Sequence, residues 1–343
     1  MSMQQFRRSL ATTTAHSACA ALLLHAHALA SPPVLDAGPL PGDSALSPAT
    51  NTQSDHTVSR GGDQVLVVWS DQIARSSGSQ SIQSDGDIFG IRLNTDGTPI
   101  DTVPFLIAGG RGLQSRPTVA WNGEAWMVLF TSQEPSAGFY EDRLRAVRIS
   151  AQGTVLDATP ITLPPSSFAP NSIGLQLAGL NGQWLITRCV YHDDGYGTYL
   201  AGQRIAANGT LLDPAPIMLM DWIYGATRTI ASNGEYLVAG PDWNSSSTVK
   251  ARRISAAAQP LAPAFTIPSL NIAGNGTEYF VTWVPDFVNL VGSRMTNTGT
   301  LLNPAGTLLA PNFGQYNAAT LTHDGSQWWL QWGAADTLHT VPG

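Results

Sequence analysis

An aspartate follows an aromatic-rich apolar stretch in five places, at Asp71, Asp193, Asp242, Asp286 and Asp336. Around them stand Tyr191, His192, Asp194, Tyr196, Tyr199, Asp221, Trp222, Tyr224, Trp243 and Phe287. Aromatic faces stack on sugar rings and carboxylates accept hydroxyl hydrogen bonds, so this mixture suits carbohydrate recognition. The candidate ligand-binding set is Asp71, Tyr191, His192, Asp193, Asp194, Tyr196, Trp222, Asp242, Trp243 and Asp286, with Tyr191-His192-Asp193-Asp194 its densest run. Two of Asp71, Asp193, Asp242 and Asp286, suitably separated, could instead act as acid and base in glycoside cleavage. A plainer reading has the acids capping loops and the aromatics packing between elements.

Other chemistries find less support. Ser84-Asp85-Gly86-Asp87 and Asp193-Asp194-Gly195 could lend oxygens to calcium, but neither completes a twelve-residue calcium loop. There is no H-E-x-x-H and no G-x-S-x-G, so zinc-protease and serine-hydrolase motifs are missing. Gly109-Gly110-Arg111-Gly112 has the glycines of a phosphate loop without a helix to follow it. No cofactor and no metal are expected.

These residues must be positioned by elements, and the elements repeat. A turn leads into an apolar strand six times. Gly61-Gly62 precedes VLVVW, Asn122-Gly123 precedes WMVLF, and Asn181-Gly182 precedes WLITR. Asn233-Gly234 precedes YLVAG, Asn275-Gly276 precedes YFVTW, and Asp324-Gly325 precedes WWLQW. Spacings of 61, 59, 52, 42 and 49 between the second glycines mark a repeat whose loops vary. A short strand of small and apolar residues comes before each turn, for example PTVA and LQLA.

A second hairpin completes the unit. Ala201 to Asp213 reads as two strands joined at Asn208-Gly209, a pair suited to the positive φ angles of a tight turn. Counting outward places Arg204 opposite Asp213, Arg92 opposite Asp101, Arg148 opposite Asp157, and Arg294 opposite Asn303. Such pairs fix register and belong to scaffold. In the fourth copy Arg253 faces Ala262, so weaker pairing is expected there. The fold class is therefore all-β, a six-bladed propeller of four-stranded antiparallel blades. Val34 to Leu40 matches the fourth strand of the second copy, Val155 to Ile161. Residues 34–40 are expected to join the C-terminal blade and close the ring.

The pattern of an Asn/Asp-Gly turn, Y-L-V-x-W, G-x-R and G-T-x-L-D resembles secreted bacterial β-propeller repeat proteins, over Val34 to Val341. That resemblance implies a fold and an export route, and no single activity.

The first thirty residues read as a signal peptide. Arg7-Arg8 form a basic start, an apolar run passes through Leu22-Leu23-Leu24, and Ala28-Leu29-Ala30 offers a cleavage site. Residues 31–343 would form a single propeller domain, secreted or periplasmic. Losing Arg7 and Arg8 takes the 17 basic residues to 15 against 24 acids, a formal charge of −9. An acidic surface repels phosphate backbones, so no nucleic-acid partner is expected. No apolar run beyond the signal could span a bilayer, so no membrane insertion is expected. Cys189 alone would remain after cleavage, and it allows no internal disulfide. A monomer is expected, presenting loops to a glycan or to a protein surface.

Overall fold

The computed structural model describes residues 52–74, 84–110, 112–136, 139–164, 174–192, 195–311, 313, 319–323 and 325–332. The signal segment, residues 34–40 and Asp336 lie outside the described residues. Every regular element among those described is a β-strand. The chain divides into a larger unit, Leu35–Ala264, and a smaller one that holds Phe265–Gly343.

In the larger unit, β1 (Thr52–Gly61), β2 (Gln64–Ala74), β3 (Ser84–Asn94) and β4 (Phe105–Ala108) make one up-and-down antiparallel sheet. The next two sheets repeat it. One holds β5 (Gln114–Trp121), β6 (Ala125–Ser136), β7 (Phe139–Ser150) and β8 (Ile161–Thr162). The other holds β9 (Gln176–Leu180), β10 (Gln183–Tyr191), β11 (Thr198–Ala206) and β12 (Ile217–Met220). β13 (Arg228–Ser232), β14 (Glu235–Asp242) and β15 (Ser245–Ser255) begin a fourth. β1 lies against β5, β5 against β9 and β9 against β13, so the first strands share an inner edge.

In the smaller unit β16 (Phe265–Ile267) is followed by the sheet β17 (Ile272–Gly274), β18 (Tyr279–Trp283), β19 (Leu290–Met295) and β20 (Thr307–Ala310). β21 (Ala319–His323) then pairs with β22 (Trp328–Trp332). Six antiparallel sheets in chain order match the six copies in the sequence.

Why these stretches become sheets is visible in their faces. Leu66, Val68 and Ile88 pack against Trp126, Val128 and Phe130 of the next sheet. The opposite face of that second sheet, with Met127, Leu129, Leu144 and Ala146, packs on Trp184, Ile186 and Ile205 of the third. The second and third sheets bury both faces on neighbours, so their central strands carry near-continuous apolar runs. In the second and third sheets the tryptophan near the start of the second strand also holds the neighbouring inner strand. Trp126 Nε1 donates to Ser59 O at 3.2 Å, and Trp184 Nε1 to Ala120 O at 3.0 Å. Small residues are required where inner strands converge. A Cβ on Gly179 would sit 2.1 Å from Trp121 O, and one on Gly61 would reach the Trp121 and Trp126 rings at 2.6 Å.

The outer hairpins hold the expected pairs. Arg92 Nη2 lies 2.6 Å from Asp101, Arg148 Nη2 2.7 Å from Asp157, and Arg204 Nη2 2.7 Å from Asp213. Each aspartate also accepts the backbone N–H of its arginine, ending the ladder with a side chain. Arg294 departs from expectation: its carboxylate is Glu278 at 2.8 Å, not Asn303. Arg253, facing Ala262, takes Glu235 at 2.6 Å. The turn differs too. Only Gly209 has positive φ (+88°), with Gly209 N bonded to Ala206 O and Ala206 N to Thr210 O. That is a three-residue loop ending in a glycine bulge rather than a two-residue turn. Asn181-Gly182 and Asn233-Gly234 are the pairs with both φ angles positive.

Two outcomes follow from this packing. Gly179→Ala, forcing a methyl into the Trp121 carbonyl, should cost about 3 kcal/mol in urea unfolding, the upper range for overpacking. Asp157→Ala, which strands the Arg148 guanidinium and the ladder N–H, should cost about 2–3 kcal/mol in the same measurement. Loss of under 0.5 kcal/mol in either would contradict the packing account.

Candidate functional site

One face of the larger unit gathers most of the candidate aromatics. β10 ends at Tyr191, and His192 N bonds Gly197 O to start the loop toward β11. The connection from β12 to β13 folds back over that loop. Ile223 N donates to Thr198 O, and the Thr198 hydroxyl donates to Ile223 O. The same segment extends the fourth sheet, since Tyr224 N bonds Pro241 O and Trp243 N bonds Trp222 O at 2.8 Å. Residues 222–224 therefore lace sheets three and four together.

The rings follow the backbone. His192 lies 5.2 Å from Tyr199 and 5.4 Å from Trp222, centroid to centroid. Tyr224 meets Trp243 edge-on at 6.1 Å. Trp222 is held in the left-handed region at φ +55°, a conformation that costs an L-residue roughly 1–2 kcal/mol. Its ring presses on Gly197, where a Cβ would come within 2.5 Å. Strain of this kind persists only where the surroundings enforce it. Tyr196 (74% exposed), Trp243 (39%) and Tyr191 (37%) leave ring surface open to solvent.

Charges border the rings. Asp221 Oδ1 sits 2.8 Å from His192 Nε2, close enough for an ion pair although no hydrogen bond of good geometry forms. Asp242 pairs with Lys250 Nζ at 3.0 Å. The Asn244 N–H and then the Lys250 ammonium hold the Asp242 carboxyl below its usual 3.8. Cys189 is half-buried, its thiol pushed up to about 11 by desolvation, and it donates to Gly225 O. It is a protonated structural thiol at neutral pH.

The remaining candidates do not join this group. Asp71 is buried in β2 of the first sheet, opposite Asp87. Asp286 lies in the smaller unit and closes its own turn. The Asn289 N–H, the Asn289 side chain and the Val288 N–H all bond it and lower its pKa. Asp193 and Asp194 lie outside the described residues. A catalytic acid needs a raised pKa, and neither Asp242 nor Asp286 has one. Among the described residues no group of three His, Cys, Asp or Glu could hold a metal ion, and no helix could cross a membrane.

One residue outside the candidate set stands out in the structure. Arg188, in β10, is 8% exposed, and its Nη2 has no hydrogen-bond partner. It pairs in register with Ala201 and shares a sheet face with Tyr199, which pairs with Val190. Burial pulls the guanidinium below its ordinary value, partly countered by Tyr199. An unpaired buried charge costs several kcal/mol. The signal was in the repeat: Arg188 ends WLITR where other copies end in Trp69, Phe130, Trp283 and Trp332.

No family model matches the chain, and no curated protein matches its sequence. Similar solved structures include a neuraminidase-like protein from A/bat/Guatemala/164/2009, at 12% identity and TM-score 0.49, covering 82% of this chain and 84% of that one. A Trypanosoma rangeli sialidase in complex with the inhibitor DANA gives 9% identity and TM-score 0.48, covering 82% of this chain and 52% of that one. The catalytic domain of a Coprinopsis cinerea GH62 α-L-arabinofuranosidase gives 12% identity and TM-score 0.37, covering 83% and 90%. At such distances the likeness assigns no residue and no activity.

The Asp242–Lys250 pair gives this face an acid limit. Because the folded pKa is depressed, its stabilisation is complete above 3.8 and is lost as pH falls through the lower folded value. Tryptophan emission should therefore shift reversibly below pH 3.8, and Asp242→Asn should remove that step. An unchanged step in the variant would place the transition elsewhere.

Proposed function

We propose that this chain is an exported six-bladed propeller that binds glycan without cleaving it, through the aromatic face shared by its third and fourth sheets. One observation carries the reading: Tyr191, Tyr196 and Trp243 offer open ring surface beside the packed His192–Tyr199–Trp222 cluster, with Asp221 and Asp242 at its border. Rings held by packing lose little entropy on binding, and neighbouring carboxylates can accept sugar hydroxyls. Export is supported by residues 1–30, and closure of the ring as one domain by the match between residues 34–40 and 155–161. A non-catalytic role is supported by the described candidate acids. Asp71, Asp242 and Asp286 stand on three different sheets or loops, and the last two are held ionised.

The test is incubation of the mature protein with a panel of plant, algal and bacterial polysaccharides and peptidoglycan. Retention on a polymer with no new soluble oligosaccharide by mass spectrometry is expected. Trp243→Ala and Tyr196→Ala, both exposed, should each weaken retention about tenfold, equivalent to about 1.4 kcal/mol, without lowering Tm. Released oligosaccharides would make the protein an enzyme, and no retention on any polymer would remove the glycan reading.

A further inference from the structure

We propose that Arg188 anchors an anionic substituent, a carboxylate or sulfate ester, on the sugar that this face receives. The inference rests on the glycan reading and narrows it to acidic glycans. Three observations meet at this residue.

Arg188 is more than nine-tenths buried, and among the described residues it makes no hydrogen bond or ion pair. Scaffold arginines of this chain behave otherwise. Arg92, Arg148, Arg204, Arg253 and Arg294 each hold a carboxylate within 2.8 Å. A guanidinium stays protonated even when buried, so Arg188 brings an uncompensated positive charge into the third sheet.

Its position does not follow the scaffold. Four of six copies place an aromatic here, which would fill the space with no electrostatic cost. A structural role alone would favour that choice. A charge that weakens the fold is explained by a ligand group that neutralises it, since function is often placed at the expense of stability.

Finally, Arg188 adjoins the ring cluster. Its cross-strand neighbour is the small Ala201, and the next residue pair on that face is Val190 with Tyr199. Tyr199 partly counters the effect of burial on the guanidinium, and its ring lies 5.2 Å from His192. A sugar stacked beside His192 and Tyr199 would have to extend a substituent along the face of the third sheet that meets the second, where Arg188 stands. The planar fork pairs two-pronged with carboxylate and equally accepts sulfate oxygens. Beyond about 10 Å the acidic surface is screened at ordinary ionic strength, so net charge does not forbid the contact.

The experiment measures affinity by calorimetry for a galacturonate trimer, a sulfated neutral trimer and the neutral trimer itself. Wild type, Arg188→Met and Arg188→Lys are compared, each with its Tm. Arg188→Met should fold with equal or higher Tm and bind the preferred charged trimer at least tenfold more weakly, with neutral binding unchanged. Arg188→Lys, which keeps the charge and loses the fork, should fold normally and fall between the two. Which charged trimer responds tells carboxylate from sulfate. Equal affinity of wild type and both variants for the charged trimers, or no charged trimer bound, would overturn the proposal. Binding of the neutral trimer in those cases would leave the glycan reading intact. Charged binding that needs Arg188 but ignores Trp243→Ala and Tyr196→Ala would sink the aromatic face and spare the anchor.

Discussion

The structure depends on one contact repeated along its outer edge, the two-pronged pairing of a strand arginine with a carboxylate. Arg148 shows what it does. Its Nε and Nη2 hold both Asp157 oxygens, Asp157 takes the Arg148 backbone N–H, and Nη1 reaches Ala207 O in the turn of the next sheet at 2.7 Å. Arg92 makes the same set, ending on Ala151 O at 2.8 Å. A single side chain thus fixes register within its sheet and the distance to the next. The geometry constrains its surroundings as well. A Cβ on Gly153 would lie 2.6 Å from Arg92 Nε, so the receiving turn needs glycine for space as well as for φ. In the fourth sheet that position is Ala258, at φ +58°, and its turn carbonyl at Ala256 accepts Gln183 Nε2 instead of an arginine.

Much of this was legible from residue types, because strand register is counted in steps of two. Three of the arginine partners are read directly from turn position. The other two lie outside the outer hairpin and cannot be read from its turn. Arg253 pairs with Leu237 and Arg294 with Phe280 on the second strand. Two residues back from these, on the same face, stand Glu235 and Glu278. The equivalent positions in the first three copies are Gln64, Ala125 and Gln183, none of them acidic. A carboxylate therefore moves from the segment leading into the fourth strand to the start of the second when Asp is absent from the outer hairpin. The fourth hairpin stays intact, with Leu261 N on Arg253 O at 3.0 Å.

The site was legible as a composition and not as a geometry. His192, Tyr196, Trp222 and Trp243 stand in loops and Tyr191 at a strand end, and nothing periodic says which loops meet. What brings them together is tertiary: the 221–224 segment pairs with Pro241 on one side and Thr198 on the other. Asp71 and Asp286 shared the sequence position after an aromatic strand, yet that position has a different environment in each copy. At Asp71 it lies inside a long strand, at Asp242 beside a lysine, and at Asp286 in a closed turn. Repeats equalise the strands, while the loops diverge freely because no neighbouring blade depends on their shape.

That difference between strand and loop gives Arg188 its meaning. Loop residues vary for many reasons, so an unusual loop residue says little. A strand position in a repeat answers to packing on both faces, and a departure there has to be accounted for physically. Gly240, at the same position in the fourth copy, has such an account: Ile223 fills the space, and a Cβ would come within 2.3 Å of it. Arg188 has no comparable explanation within the described fold. Its neighbours Ile186, Val190 and Ala201 are apolar, and the sheet it faces presents the apolar Leu129 and Leu144. Where Arg92, Arg148, Arg204, Arg253 and Arg294 each meet a carboxylate, the charge of Arg188 is left for something outside the chain to complete.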